Sequence, residues 1–360
     1  MPTSPLYDST RTTLAARLPD VRGSQLDTLA LVVVGITQSV SAQLGKIARA
    51  MPLDTTQYAK EQRLRRFLDN ERITQADHYQ PLLRAALTGL KGQPVQLLLD
   101  RVLLHDRHNL LIVSIGFRRR SIPLAWIALS HRGKSSLADQ QAVLSQAVAV
   151  LPERVRVTVH GDSEFRAREL FSWLREQGCD AMLGVYGNTY VSLSADGPRQ
   201  TLQDWLSDRA TVVYLQDVYL TEAAFGPVSV IAWWVKDANG EWMLRGVMTN
   251  LRATWQTYQR GSRRMWIETV FRDWQSAGFH LDRCGITDRE RVARLLLPLA
   301  IAYLWLVSLG RWVVKKGYRQ LIDDGDARTW HYSLFQLGVG WKERLASYSL
   351  AIPVLLLLYL

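Results

Sequence analysis

Along the first quarter of the chain, apolar residues recur at mixed helical spacing, and residues 24–90 read as helical. Ser24 stands where an N-cap would open the first long segment, 24–52. A second segment, 60–73, sets Arg63, Arg65 and Arg66 beside Leu64, Phe67 and Leu68 on a short basic helix. Around residue 93 the texture changes. Three apolar runs rich in β-branched residues follow, at 95–104, 109–117 and 121–130, and read as consecutive strands. Their joints are 105–108 and 118–120. A helix at 137–151, a strand at 154–162, an amphipathic helix at 164–178 and a strand at 180–186 complete the alternation.

Three strands, helix, strand, helix, strand is the order of a ribonuclease-H-like core, although other α/β folds share parts of it. From 187 to 257 the alternation stops and short strand-like runs take over, with Asp237, Ala238, Asn239 and Gly240 as a hairpin signal. The predicted fold is therefore α/β: a ribonuclease-H-like catalytic core interrupted by an all-β insertion at about 187–257, with an N-terminal helical domain. The expected organisation is 1–90 as a helical DNA-binding domain, 91–310 as the catalytic domain, and 311–360 as a C-terminal helical segment. Helical period returns at 263–279 and again at 288–313. The uncharged stretches 295–310 and 350–360 fall short of the roughly 20 residues that a spanning helix needs, so buried core helices are expected and no membrane partner.

Charge sharpens this picture. Lys and Arg total 44 against 33 acids, a net charge of +11, and 36 of the 44 are Arg. Arginine offers a rigid fork of donors suited to phosphate, and a basic chain concentrates polyanions around itself. A genome that favours Arg codons would give the same count. The two cysteines form neither a metal-ligand pattern nor a disulfide framework, and no secretory signal opens the chain, so a reduced cytoplasmic setting is expected.

The candidate chemistry lies in acids beside apolar strands. Asp100 closes one apolar run and Asp162 ends another. A carboxylate there is costly unless it is paired or binds metal. Taken singly, either is also what a turn-capping residue looks like. Two such ends from neighbouring strands place both carboxylates at one pole of a sheet, a requirement for magnesium, which takes few protein oxygens and leaves room for phosphate. The third acid belongs on a helix near that pole. Steps of four, four and three put Arg264, Glu268, Arg272 and Gln275 on one helical face, beside an apolar stripe of Ile267, Val270, Phe271 and Trp274. An exposed polar stripe with an i,i+4 ion pair has the same pattern. Asp106 is the nearest substitute for Asp100.

These residues carry a resemblance. Arg264 and Glu268 fit the Tyr-x2-Arg-x3-Glu-x6-Lys signature of the IS-four group of DDE transposases of bacterial insertion sequences. Gly161, Asp162, Ser163, Glu164 and Phe165 are similar to the motif at that group's second acid, and Asp100-Arg101 with 116–118 and 122–126 resembles the region of its first. The likeness runs from about 24 to 345, and the group also carries strands between its second and third acids. It departs at two positions: Gly261 stands where the signature has tyrosine, with Tyr258 one turn earlier, and Gln275 stands where it has lysine. The resemblance implies a cut-and-paste transposase with Asp100, Asp162 and Glu268 holding two Mg2+ ions, for which Mn2+ can substitute. It implies double-stranded DNA (element ends and target) as partner, gripped by Arg264 with Arg272 and Gln275 beside it, and a homodimer on paired ends. The basic helix with Arg63, Arg65 and Arg66 suits DNA docking in its own right, although most such faces are merely solvated. A catalytically impaired relic and a ribonuclease-H-fold nuclease remain as alternatives. His160 is a candidate for orienting ligands, and Trp233, Trp234 and Trp242 for stacking on an extruded base; packing is the commoner role for a His at a strand end and for most of these tryptophans.

Overall fold

The computed structural model describes residues 4–358 apart from 105, 106, 207, 210, 238 and 326–328. Asp106, the substitute for Asp100, and Ala238 of the expected hairpin lie outside the described residues.

The chain opens with six helices: α1 (Pro5–Ala15), α2 (Gly23–Ser39), α3 (Leu44–Ala50), α4 (Gln57–Asp69), α5 (Gln75–His78) and α6 (Gln80–Ala86). The long segment expected from Ser24 is broken: α2 begins one residue earlier with Arg22 as its cap, and Val40 adopts φ 44°. The chain there bends by 103° between α2 and α3. No Gly or Pro marks this break in the sequence. It brings Ala42 N–H to the carbonyl of Phe279 and seats the buried face of α2.

Strands β1 (Pro94–Leu104), β2 (His108–Phe117) and β3 (Arg120–Leu129) follow, then α7 (Leu137–Val148), β4 (Arg156–Gly161), α8 (Arg168–Glu176) and β5 (Asp180–Val185). Next come β6 (Tyr190–Ser192), β7 (Gln200–Thr201), the one-turn helix α9 (Leu202–Trp205), β8 (Val212–Leu220), β9 (Phe225–Lys236) and β10 (Trp242–Thr249). The closing helices are α10 (Trp255–Gly261), α11 (Trp266–Trp274), α12 (Arg289–Lys315) and α13 (Leu334–Ser347).

All ten strands share one sheet in the order β3-β2-β1-β4-β5-β10-β9-β8-β6-β7. Pairing is parallel between β1 and β4 and between β4 and β5, and antiparallel elsewhere. This mixed sheet with its covering helices is compatible with a ribonuclease-H-like transposase core. Residues 187–257 extend the core sheet instead of forming a separate one, because β10 pairs with β5. They also include a helical turn, α9, closed by a capping box between Thr201 and Asp204.

Helix α12 is the spine. Eighteen of its residues from Val292 to Val313 are buried, Pro298 among them, and it packs on α13, α2 and β3. Its length and apolarity would suit a membrane crossing, yet 89% of the most apolar window is buried inside the protein, as in a core helix. Each fully buried Leu or Ile there contributes about 1.5–3 kcal/mol. The apolar tail does not form the core helix expected of 350–360. It runs extended: Pro353 C=O accepts the Trp305 Nε1–H at 2.9 Å, Leu358 N–H reaches the Ala86 carbonyl at 3.5 Å, and Leu356 and Leu358 are buried. The burial expected from composition is met at Leu356 and Leu358, while the bonds to Trp305 and Ala86 hold the described part of the tail outside any helix.

Candidate active site

The parallel pairing of β1 with β4 runs from Pro94–Arg156 to Leu99–Gly161, so Asp100 and Asp162 are the next residues beyond it, side by side. Asp100 lies within β1, not at its end, because β1 continues to Leu104 as the partner of β2. Its Oδ1 accepts the N–H of Arg101 at 2.8 Å. Asp162 caps the short 3-10 turn Ser163–Phe165, its Oδ1 accepting the Glu164 N–H at 2.8 Å. The turn-capping role and a place in the acid cluster are thus both filled by one residue.

Two features unforeseen in the sequence fix this pair. Arg101 and Glu164 form a bidentate salt bridge, with Nε at 2.8 Å from Oε1 and Nη2 at 2.8 Å from Oε2. One guanidinium thereby joins the residue after Asp100 to the residue two beyond Asp162, in the geometry that gives arginine–carboxylate pairs their strength. Arg101 also donates to Asn109, which is buried and holds the carbonyls of His131 and Gly133. Gly184 of β5 supplies the second feature. A Cβ there would stand 2.6 Å from the Ser163 nitrogen and 2.8 Å from the Asp162 carbon, so only glycine lets β5 lie against the turn.

Glu268 sits in the first turn of α11, its side chain half exposed. Helix α11 lies on β3, β1 and β2. Gly116 of β2 makes room for the Trp266 ring, and Ser121 Oγ donates to the Trp266 carbonyl at 3.3 Å. At the far end Asp273, 3% exposed, accepts Arg120 Nη1 at 3.0 Å and the Tyr303 hydroxyl at 3.1 Å. A buried carboxylate paired in this way pins α11 to β3 and α12. Burial raises the Asp273 carboxyl, and Arg120 and Tyr303 oppose the rise.

Arg264 stands between the acids. Its Nη1 is 3.5 Å from Asp100 and its Nη2 3.5 Å from Glu268. Burial pushes the Asp100 carboxyl up to about 6; the Asp162 and Glu268 charges add to the rise, while the Arg101 N–H and Arg264 resist it. The donor set is three carboxylates, of which Asp100 feels the charges of the other two, and hard oxygen donors of this kind fit a hard divalent cation. Among the described residues, the three do not gather their oxygens to within 4.8 Å of one another as Asp323, Asp324 and His331 do. That second group is occupied otherwise: buried Asp323 accepts from Arg319 and from the backbone of Gly325, His331 and Tyr332, and staples the loop before α13.

The single face expected for Arg264, Glu268, Arg272 and Gln275 holds only in part. Arg264 lies on the 3-10 turn Ser262–Met265, and the i,i+4 contact with Glu268 survives. Arg272 is exposed one turn further along. Helix α11 ends at Trp274, and Gln275 turns away with ψ −116° as the chain reverses, Phe279 N–H bonding to the Asp273 carbonyl. Of the expected apolar stripe, Ile267, Val270 and Trp274 are buried, and Phe271 is only partly so. Arg63, Arg65 and Arg66 divide over two sides of α4. Arg63 donates to Thr28 and shares a hollow with Arg66, whereas Arg65 faces a separate hollow with Arg283. Spacing explains this, since positions two apart on a helix do not share a face.

A cleft of about 860 Å³ opens from Asp162 and Arg264 along β5, β9 and β10. Trp233, Trp234, Trp242 and Tyr258 line it, together with Lys236 and Arg245. Tyr258 stacks on Trp255 at 5.1 Å and meets the Trp233 ring edge-on at 4.9 Å. Lys236 and Arg209 lie over the Trp242 ring, at 5.3 and 5.7 Å. His160 is buried beside the acids, and its Nε2 has no hydrogen-bond partner. Burial, with Arg263, Arg264 and Arg260 nearby, lowers its pKa to about 3, so the imidazole is neutral.

The geometry defines an α/β protein with acids at the end of a parallel strand pair and a third acid on a helix across the sheet. Residues 108–305, more than half of the chain, match the family model described as the transposase DDE domain, and the chain belongs to that family of DDE transposases. Its partner class is accordingly DNA, and the family generally uses divalent metal ions. The matched segment takes in Asp162 and Glu268, while Asp100 lies on the strand just before it. No curated protein matches the chain.

Proposed function

We propose that the chain is the transposase of a bacterial insertion sequence of the IS-four group, which cleaves at terminal inverted repeats and joins the freed ends to target DNA. The observation that supports the proposal is that Asp100 and Asp162 lie just beyond the parallel pairing of β1 and β4, with Arg264 at 3.5 Å from both Asp100 and Glu268, and that Asp162 and Arg264 line a cleft with basic and aromatic walls. Those three acids would hold two Mg2+ ions, or Mn2+, which would supply Lewis-acid polarisation for in-line displacement at a phosphate.

The chain's own residues supply position and charge. The Arg101–Glu164 bridge keeps Asp100 and Asp162 abreast, and the Arg120–Asp273 pin keeps Glu268 facing them. Arg264 offers its guanidinium to a phosphate beside the cleaved bond, with Arg272 and Gln275 further along. The helical unit 1–90, with Arg63, Arg65 and Arg66, binds the element ends. Because Arg65 faces apart from Arg63 and Arg66, the unit touches the backbone at two places. The insertion at about 187–257 forms the cleft wall, where Trp233, Trp234 and Trp242 suit an unstacked base. The protein works in the cytoplasm as a homodimer on paired ends.

The test is cleavage and joining of a labelled duplex carrying the element end, by the full chain with Mg2+. Cleavage and joining that vanish in Asp100→Ala, Asp162→Ala and Glu268→Ala are expected. Cutting that persists in the triple variant sinks the site. Cleavage without joining favours a nuclease of the same fold. DNA binding without cleavage favours a relic, the reading that Gly261 and Gln275 motivate.

A further inference from the structure

Arg264 is held differently from the other arginines of the site. Arg101 meets Glu164 at 2.8 Å and Arg120 meets Asp273 at 3.0 Å, within or close to the range of charge-assisted bonds. Arg264 stands 3.5 Å from Asp100 and 3.5 Å from Glu268, too far for strong bonds to either. It rides on a four-residue 3-10 turn rather than a core element, and its other recorded neighbour is the sulfur of exposed Met265, at 3.4 Å. Charge, not tight geometry, keeps it there. The guanidinium stands between two of the three acids read as the cation site, and a cation brought to either acid would meet its repulsion.

We propose that Arg264 is a displaceable internal counter-cation: in the DNA-free protein it stands in for the metal between Asp100 and Glu268, and a DNA phosphate draws it away so that the metal can load. This rests on the reading of Asp100, Asp162 and Glu268 as the cation site. Coupling of this kind is reciprocal: DNA that engages Arg264 raises cation affinity, and cations at the acids release Arg264 for DNA. The free enzyme is thereby kept short of metal until its substrate is present.

The experiment is Mn2+ binding to the full-length protein, read from the electron paramagnetic resonance of the free ion. Without DNA, Arg264→Gln is expected to bind Mn2+ at least about fivefold more tightly than wild type. Arg264→Lys, whose point charge cannot span both acids, falls between the two and keeps the test alive should the glutamine variant fold poorly. Arg263→Gln is the control for a diffuse field, because Arg263 lies over the Trp266 ring at 5.6 Å and, among the described residues, has no ion pair with the acids; its affinity stays within about twofold of wild type. An unchanged or weaker affinity in Arg264→Gln overturns the proposal, as does an equal gain in Arg263→Gln. With a short duplex added, and the signal of an Asp100→Asn, Asp162→Asn double variant subtracted, wild type gains more affinity than Arg264→Gln; equal gains overturn the coupling. If wild-type Mn2+ binding survives intact in the double variant, the cation-site reading itself fails. If binding is lost there while Arg264→Gln is neutral, only the present inference fails.

Discussion

Replacing Asp100 by Asn is expected to make the metal-free protein more stable at neutral pH. The carboxyl of Asp100 is 15% exposed and is pushed from its ordinary 3.8 up to about 6, chiefly by burial, with Asp162 and Glu268 adding to the rise. A carboxyl whose folded pKa is raised binds its proton more tightly folded than unfolded. Stability therefore falls as pH rises from about 4 to about 6 and is then level. Each pKa unit is worth about 1.4 kcal/mol, which puts the cost of charged Asp100 near 3 kcal/mol above pH 6. Asn keeps the acceptor for the Arg101 N–H and removes the charge; against this, Arg264 loses one of its two acids. A net gain of about 1–3 kcal/mol at pH 7.5 is expected, shrinking to nothing near pH 4. Urea denaturation of wild type and Asp100→Asn in EDTA at the two pH values measures it. A variant that is less stable at pH 7.5, or equally shifted at both pH values, refutes the reasoning.

Other consequences follow from the pins. Removing the guanidinium in Arg120→Ala strands a buried Asp273 charge and is expected to cost about 3–5 kcal/mol, whereas Tyr303→Phe loses one hydrogen bond and costs about 1 kcal/mol; denaturation midpoints separate the two. Arg101→Ala should leave the fold cooperative yet weaken Mn2+ binding by about tenfold or more, the loss typical of residues that orient metal ligands, and isothermal titration calorimetry would show it. Unchanged affinity would mean that the Arg101–Glu164 bridge does not set the acids. Leu356→Ala, in the extended tail, should cost about 2–5 kcal/mol; an effect below 1 kcal/mol would mean that the strap is not part of the core.

Much of the core was legible because its signals are local. The bounds of β1, β2 and β3 follow the apolar runs to within a residue or so, and the stripe of Ile267, Val270 and Trp274 was read from spacing alone. What could not be read depends on distant partners. Arg101 and Glu164 lie 63 positions apart, and Arg120 and Asp273 lie 153 apart, so neither pair leaves a trace in a local window. Nothing local to α11 sets Asp273 apart; its role comes from Arg120 and Tyr303, which surround it. The break at Val40 was invisible for another reason: the residue lacks the usual turn chemistry, and tertiary packing imposes its positive φ. The tail showed the opposite failure, since apolar composition predicts burial but not conformation. A hint for the first bridge was present, in the charged neighbour that follows each aspartate at 101 and 164.

The placement of charge in this site separates the work of holding from the work of binding. Each acid-bearing element is fixed by an ion pair beside its acid and not through it: Arg101–Glu164 for Asp100 and Asp162, Arg120–Asp273 for Glu268. If the acids were themselves the anchors, short salt bridges would neutralise them and a cation would have to break the fold's own bonds to enter. With the anchoring done by neighbours, no short salt bridge ties up Asp100, and burial, helped by the Asp162 and Glu268 charges, raises its carboxyl. On the proposed reading of these acids as a cation site, such an arrangement is costly to the bare protein and is relieved by the cation. The contact that relieves it, through Arg264, is long and sits on a short turn. Neutralising an acid should therefore abolish cation binding while sparing or improving stability. Neutralising a pin should do the reverse: it weakens the fold first and loses the cation only because the acids drift apart.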